Sequence, residues 1–282
     1  MKTLTSRVEL QSRLRDTGYL ADEKLSEMTL LALDMSRPLL LEGPAGVGKT
    51  ALAQAMATVL NRELIRLQCY EGLDDTQALY DWNYHRQLVE LRRNEDADIF
   101  TADYLLPRPL MKALLSQRGA VLLIDEVDRT DMAFESLLLE FLADFQISVP
   151  EWKTVSTNVA PVVVLTSNRV RPLSDALRRR CLYQFLDWPN LSSETDIVAS
   201  HVPGLPLDAV KRIVQAVQTL RSWDLMKLPG ISESIDWAKA YFYNQPVDFS
   251  EEWMGATLGC VIKDVSDWEM VLGRLSKLLD GV

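Results

Sequence analysis

The sequence predicts an α/β protein: a mostly parallel sheet covered by helices on both faces, followed by a small all-helical domain. Three observations predict it. Apolar runs of strand length alternate with helical stretches through the first two thirds of the 282-residue chain, as in a layered α/β domain. A glycine-rich loop stands between the first apolar run and the helix after it. Beyond Trp188-Pro189 the texture turns helical, as in residues 207–221 and 233–243, with few strand signals. The boundary is placed near residue 190, giving domains 1–190 and 191–282, and the length suffices for two cores.

Each element follows from its local pattern. Residues 4–35 form an amphipathic helical lead-in, interrupted near Gly18-Tyr19. Pro38–Glu42 is a buried strand closed by the turn signal Gly43-Pro44. Residues 49–60 are rich in Ala and Leu and predict a helix. Leu64–Gln68 alternates as a second strand, and Val121–Ile124 is a third, bounded by acidic residues. An amphipathic helix covers residues 131–144, a fourth strand lies in Pro161–Thr166, and Tyr183–Leu186 is a short fifth.

Composition narrows the function classes. Hydrophobic residues are 48% and charged residues 25%, with 12 Gly and 12 Pro, which excludes collagenous and low-complexity chains. Thirty basic against 40 acidic residues give a net charge of −10, poor for general nucleic-acid or anionic-membrane binding, although a local basic patch remains open. Cys69, Cys181 and Cys260 lie far apart without CxxC spacing, which argues against a disulfide framework and a zinc site and for inert thiols in a reducing cytosol. The stretch MKTLTSRVEL has no apolar signal core, and no apolar run nears the roughly 18 residues of a membrane helix. A cytoplasmic location without membrane partners is expected. His85 and His201 have no partner at metal-ligand spacing, and Trp223, Trp237, Trp253 and Trp268 are expected in the core of the helical domain.

Gly43-Pro44-Ala45-Gly46-Val47-Gly48-Lys49-Thr50 fits GxxxxGK(S/T), the P-loop, and has the required strand before and helix after. Glycines let consecutive backbone N–H groups curl around phosphate oxygens, and the helix that starts there turns its positive end to the anion. Lys49 reaches the β- and γ-phosphates, Thr50 offers a hydroxyl to Mg²⁺, and Ala51 follows in the same nucleotide-binding turn. A second element, Val121-Leu122-Leu123-Ile124-Asp125-Glu126, ends a strand in two carboxylates. Asp125 suits the Mg²⁺ sphere and Glu126 the polarisation of an attacking water, which favours hydrolysis over transfer to a small acceptor; the alternative is a helix cap for the next element. The third, Leu165-Thr166-Ser167-Asn168, offers Asn168 to position the water or sense the γ-phosphate, with ordinary turn chemistry as the alternative.

These three segments, in this order, resemble the Walker A, Walker B and sensor 1 segments of the AAA+ ATPases, through GPAGVGKT, LLIDEVDR and VVLTSN. The chain also resembles the MoxR branch and, within it, CoxD-like proteins, through Arg37–Gly43, Leu173–Tyr183 and Ser234-Ile235-Asp236-Trp237. The resemblance spans nearly the whole chain. It implies a P-loop NTPase αβα sandwich with a helical lid, ATP and Mg²⁺ as ligands, and a ring, commonly a hexamer, in which a neighbour supplies an arginine. Arg178-Arg179-Arg180 falls at that finger. Arg180 aligns best, although Cys181 replaces the following aromatic, and Arg179 is close behind; a solvated basic helix end is the alternative. In this branch a sensor 2 arginine follows a Gly-x-Ser-Pro motif, but here Gly230-Ile231-Ser232-Glu233-Ser234 puts Ser234 in its place. The segment before the P-loop offers Gly18, Tyr19 and Leu20 to the adenine. Residues 72–110 resemble an insert facing the ring's centre, and Gln146–Asn158 a hairpin before sensor 1. Trp82 and Tyr84 would either grip a partner there or pack on a strand pair.

The leading expectation is an Mg²⁺-dependent ATPase acting as a chaperone-like remodeller, its cycle changing the angle between the α/β domain and the lid. The MoxR resemblance implies help in maturation or metal-centre assembly of a client enzyme, beside a von Willebrand factor A domain partner. The CoxD-like resemblance points to a molybdenum hydroxylase of the carbon monoxide dehydrogenase type. Two alternatives stay open. One is a nucleic-acid translocating or restriction-type motor, with Arg92, Arg93 and Arg118 as candidate contacts. The other is a nucleotide-dependent binding switch with negligible hydrolysis.

Overall fold

A computed structural model gives the fold and describes residues 6–246 and 248–279, so residues 4 and 5 of the expected lead-in lie outside the described residues. The chain divides into two compact units. The first holds the stretch up to Thr17, Ala21–Gly43 and Lys49–Leu186; the second holds Gly18–Leu20, Pro44–Gly48 and the stretch from Asp187 onward.

In the first unit the lead-in forms α1 (Arg7–Asp16) and α2 (Glu23–Asp34), the latter capped by Asp22 through the Leu25 N–H at 2.7 Å. Then come β1 (Leu39–Glu42), α3 (Lys49–Leu60), β2 (Glu63–Gln68), α4 (Asp75–Ala78), β3 (Tyr80–Trp82), α5 (Tyr84–Arg93), β4 (Leu105–Pro107), α6 (Pro109–Leu115) and β5 (Ala120–Asp125). They are followed by α7 (Met132–Asp144), β6 (Gln146–Ser148), β7 (Thr154–Ser156), β8 (Val162–Ser167), α8 (Asp175–Arg180) and β9 (Leu182–Phe185). The main sheet has the order β2-β5-β8-β1-β9, and every neighbouring pair is parallel.

Burial follows position in the sheet. β1 and β5 are buried along their whole length, as strands covered on both faces must be, which is why they read as continuous apolar runs. The edge strand β2 alternates: Ile65 and Leu67 are buried, whereas Arg66 and Gln68 are exposed. The register sets Gln68 beside Asp125 and Glu42 beside Ser167, so the polar ends of four strands gather at one edge of the sheet. Ligands of open α/β sheets bind at that carboxyl edge.

The 72–110 region is a strand pair, β3 with β4, carrying α5 between them. It resolves the two aromatics differently. Trp82 is buried, with its ring 5.3 Å from Phe100 in an edge-to-face contact, while Tyr84 stands exposed on α5. The hairpin expected before the fourth strand is β6 paired antiparallel with β7.

The second unit packs α9 (Leu191–His201), α10 (Leu207–Arg221), α11 (Ile231–Asn244), α12 (Glu251–Thr257), α13 (Val265–Leu272) and α14 (Leu275–Leu279) around its own core. Trp237 is fully buried and stacks on Trp253 at 5.6 Å, while Trp223 and Trp268 pack against the core from its margin. No helix among the described residues is long and apolar enough to cross a membrane.

Candidate functional site

The loop Gly43–Thr50 leaves β1 and enters α3, and its shape depends on glycine. A Cβ at Gly43 would lie 2.0 Å from the Leu186 carbonyl oxygen, so no side chain fits. Gly46 has φ +79°, and a Cβ there would lie 2.9 Å from the Gly230 Cα. The Gly46 carbonyl accepts the Ile231 N–H at 3.0 Å, which satisfies one of the unpaired amides at the start of α11. Tyr19 belongs to the same compact unit, its ring 3.8 Å from where a Gly48 Cβ would stand; Leu20 follows it, half-buried.

Lys49 is buried, and its ammonium donates to the Gly43 carbonyl at 2.7 Å. Burial pulls its pKa below the ordinary lysine value, while Asp128, Asp125 and Glu126 pull the other way. An anion at this ammonium therefore relieves a desolvated charge. Thr50 donates its hydroxyl to Asp125 Oδ1 at 3.1 Å, which puts the two residues expected at Mg²⁺ on each other. Among the described residues no group of three or more His, Cys, Asp or Glu could hold a metal. One hydroxyl and one carboxylate suit Mg²⁺, a hard cation that keeps waters and shares its shell with phosphates.

The strand ends supply residues that sequence patterns did not single out. Thr166, buried at the end of β8, donates to Asp125 Oδ1 at 2.5 Å and accepts the Glu126 N–H at 2.9 Å. One hydroxyl thus fixes both halves of the acidic pair. Glu126 has φ +58°, a left-handed backbone costing a non-glycine residue on the order of 1 kcal/mol. Its carboxylate accepts from Asn168 Nδ2 at 3.2 Å on one oxygen, and from Gln68 Nε2 at 3.0 Å and Arg129 Nε at 3.1 Å on the other. The other oxygen of Asp125 takes Arg66 Nη2 at 2.5 Å, and Arg66 also bonds Gln68. Buried Asp128 accepts the backbone N–H groups of Asn168 at 3.1 Å and Val170 at 2.8 Å, and so shapes the turn that presents Asn168. An acid three residues after Asp125 was the one available signal for it.

The three arginines of α8 separate. Arg178 bonds Glu42 Oε2 at 2.8 Å, and the Tyr183 hydroxyl donates to the same oxygen at 3.0 Å. Arg179 and Arg180 are exposed, and their side chains make no hydrogen bond or ion pair among the described residues. The Arg37 guanidinium donates to the carbonyls of Arg179 at 2.7 Å and Arg180 at 3.3 Å, pinning the backbone beneath them. Cys181 and Cys69 are buried, and burial drives each thiol up to about 12, so both are inert near neutral pH.

Ser234 lies in the helical core. It donates to Glu194 Oε1 at 2.7 Å, and Glu194 takes two further 2.7 Å bonds from Arg221. Arg221 also donates to the Pro229 carbonyl at 2.7 Å and covers the Trp188 ring at 4.2 Å. Ser234, the residue that the sequence expectation set where the branch carries an arginine, is thus committed to an internal ion pair.

The family model for the AAA domain (dynein-related subfamily) matches residues 38–181. The gas vesicle ATPase GvpN of Haloferax mediterranei is 27% identical over 202 residues, covering 67% of this chain and 58% of that protein. A Holliday junction branch migration complex subunit RuvB of Thermotoga maritima is 27% identical over 177 residues, covering 57% of this chain and 43% of that one. The chain thus spans little more than half the length of the gas vesicle relatives it matches. Among solved structures, a Thermotoga maritima RuvB variant superposes with a TM-score of 0.56 at 19% identity, over 97% of this chain and 81% of that chain, a likeness of fold.

Proposed function

We infer, for a chain that belongs to the AAA domain family of the dynein-related subfamily, that it binds ATP with Mg²⁺ and hydrolyses it as part of an oligomer. The observation that carries this is the Glu126 carboxylate, held by Gln68 and Asn168 one residue beyond Asp125. A carboxylate with its oxygens so fixed can accept a proton from water, and Asn168 can orient that water. Lys49 and the backbone N–H groups of residues 45–50 take the phosphates, with Gly43 and Pro44 opening the loop and Ala51 continuing the turn. Thr50 and Asp125 would hold Mg²⁺, which when bound neutralises charge on the transferred phosphoryl group. Tyr19 and Leu20 are assigned to the base.

Arg178 is committed to Glu42 within its own chain, so Arg180 and Arg179 are the arginines free to serve a neighbouring copy. An arginine added from outside spreads the γ-phosphate charge in the transition state. A hexameric ring is the arrangement proposed. The client-remodelling role, the von Willebrand factor A domain partner and the molybdenum hydroxylase client rest on the MoxR-like and CoxD-like segments of the sequence alone. The RuvB relative favours a second reading, a nucleic-acid motor, and Arg92 and Arg93 close the exposed end of α5; the net charge of −10 weighs against it.

ATPase rate against protein concentration, with mass measured at each point, tests the proposal. Specific activity should rise as oligomers form, and Glu126→Gln should bind ATP but turn over about 10²–10⁴-fold more slowly. Arg179→Ala with Arg180→Ala should be inactive alone and regain turnover when mixed with Lys49→Ala, each copy completing the other's missing part. A rate independent of concentration and unchanged in Glu126→Gln would leave the binding switch. Salt-sensitive stimulation by DNA would favour the motor.

A further inference from the structure

We propose that Arg66 is a resident counter-ion of Asp125 that a divalent cation must displace, so that metal loading is opposed by a residue of the chain itself. The proposal rests on the reading of Asp125 as the Mg²⁺ carboxylate. Both oxygens of Asp125 are engaged: Oδ1 by the hydroxyls of Thr50 and Thr166, Oδ2 by Arg66 at 2.5 Å. A cation held by Asp125 therefore has to replace or crowd one of these partners.

The three partners are not equally replaceable. Thr166 is buried and is held from its other side by the Glu126 N–H, so it stays. Thr50 is itself a donor to the cation. Arg66 enters from the solvent side. Its side chain is 53% exposed, against 5% for the carboxylate it covers, and it can return to water at little cost. It also carries the charge that cannot remain there, because a guanidinium at hydrogen-bond distance from Asp125 repels a divalent cation held by the same carboxylate. The fold makes the contact specific. On β2 the register sets Arg66 beside Leu123 and Gln68 beside Asp125, and the arginine reaches along the strand past its own partner to the acid.

The test is a Mn²⁺ titration of the full chain with ADP, read from the electron paramagnetic resonance signal of free Mn²⁺. Wild type, Arg66→Met, Arg66→Lys and Asp125→Asn are compared after circular dichroism confirms the fold. Arg66→Met should bind Mn²⁺ about tenfold more tightly than wild type, and Arg66→Lys should return towards the wild-type value. Equal or weaker binding in Arg66→Met overturns the proposal while leaving Asp125 in the metal sphere. If Asp125→Asn binds Mn²⁺ as wild type does, the underlying reading of Asp125 falls, and the proposal with it. Should Arg66→Met not fold, Arg66→Gln carries the same comparison.

Discussion

Each unit contains an arginine–carboxylate pair, and the two are sealed differently. In the helical unit Arg221 and Glu194 are 6% and 0% exposed, joined by two 2.7 Å bonds and closed by Ser234, Pro229 and Trp188. In the α/β unit Arg66 is 53% exposed over a carboxylate at 5%. Nearby Glu126 is likewise bonded by Arg129, an arginine 54% exposed. The first pair has no route to exchange partners; the others are covered by groups that can leave. On the proposed function, the difference separates charge used to hold a fold from charge used to meet a ligand.

Three variants break or sharpen that contrast. Arg221→Met should be the most damaging, because it strands a fully buried carboxylate; a loss of about 3–5 kcal/mol in urea denaturation is expected. A loss below about 1 kcal/mol would mean that the sealed pair is as replaceable as the open one. Gly230→Ala introduces a Cβ 2.8 Å from Glu233 Oε2, the far end of a side chain that can shift, and 2.9 Å from the Gly46 Cα, a backbone atom, so its strain falls chiefly on the phosphate loop. Nucleotide affinity should fall about tenfold, a 1.4 kcal/mol effect, in fluorescent ADP titrations, with the melting temperature nearly unchanged. Arg66→Met should alter stability least, by less than about 1 kcal/mol, since its pair is open to water and two hydroxyls still serve the acid. A larger loss would place Arg66 with the sealed pair.

Much of the fold was legible because buried parallel strands are continuous apolar runs, as in β1, β5 and β8, and because the phosphate loop carries its glycines at fixed spacing. The acidic pair and Asn168 were legible for the same reason: each ends such a run. What escaped depends on strand order. Arg66 and Gln68 were visible only as the polar half of an alternating strand, and nothing local says that this strand lies beside β5. Thr166 reads only as the last residue of an apolar strand, and no local pattern says that its hydroxyl lies between Asp125 and Glu126. The Arg221, Glu194 and Ser234 cluster joins three helices across 13 to 40 residues, beyond the reach of any periodic pattern. Trp82 and Tyr84 are two positions apart yet end inside and outside, because one lies on β3 and the other opens α5.

The left-handed backbone of Glu126 sets fold against function at a single position. Asparagine tolerates that conformation better than glutamate, so Glu126→Asn should melt no lower than wild type while its hydrolysis collapses. Selection for a sturdier chain alone would drift away from glutamate here; on the proposed reading of Glu126 as the water-polarising carboxylate, its presence marks a site where catalytic work outweighs conformational comfort.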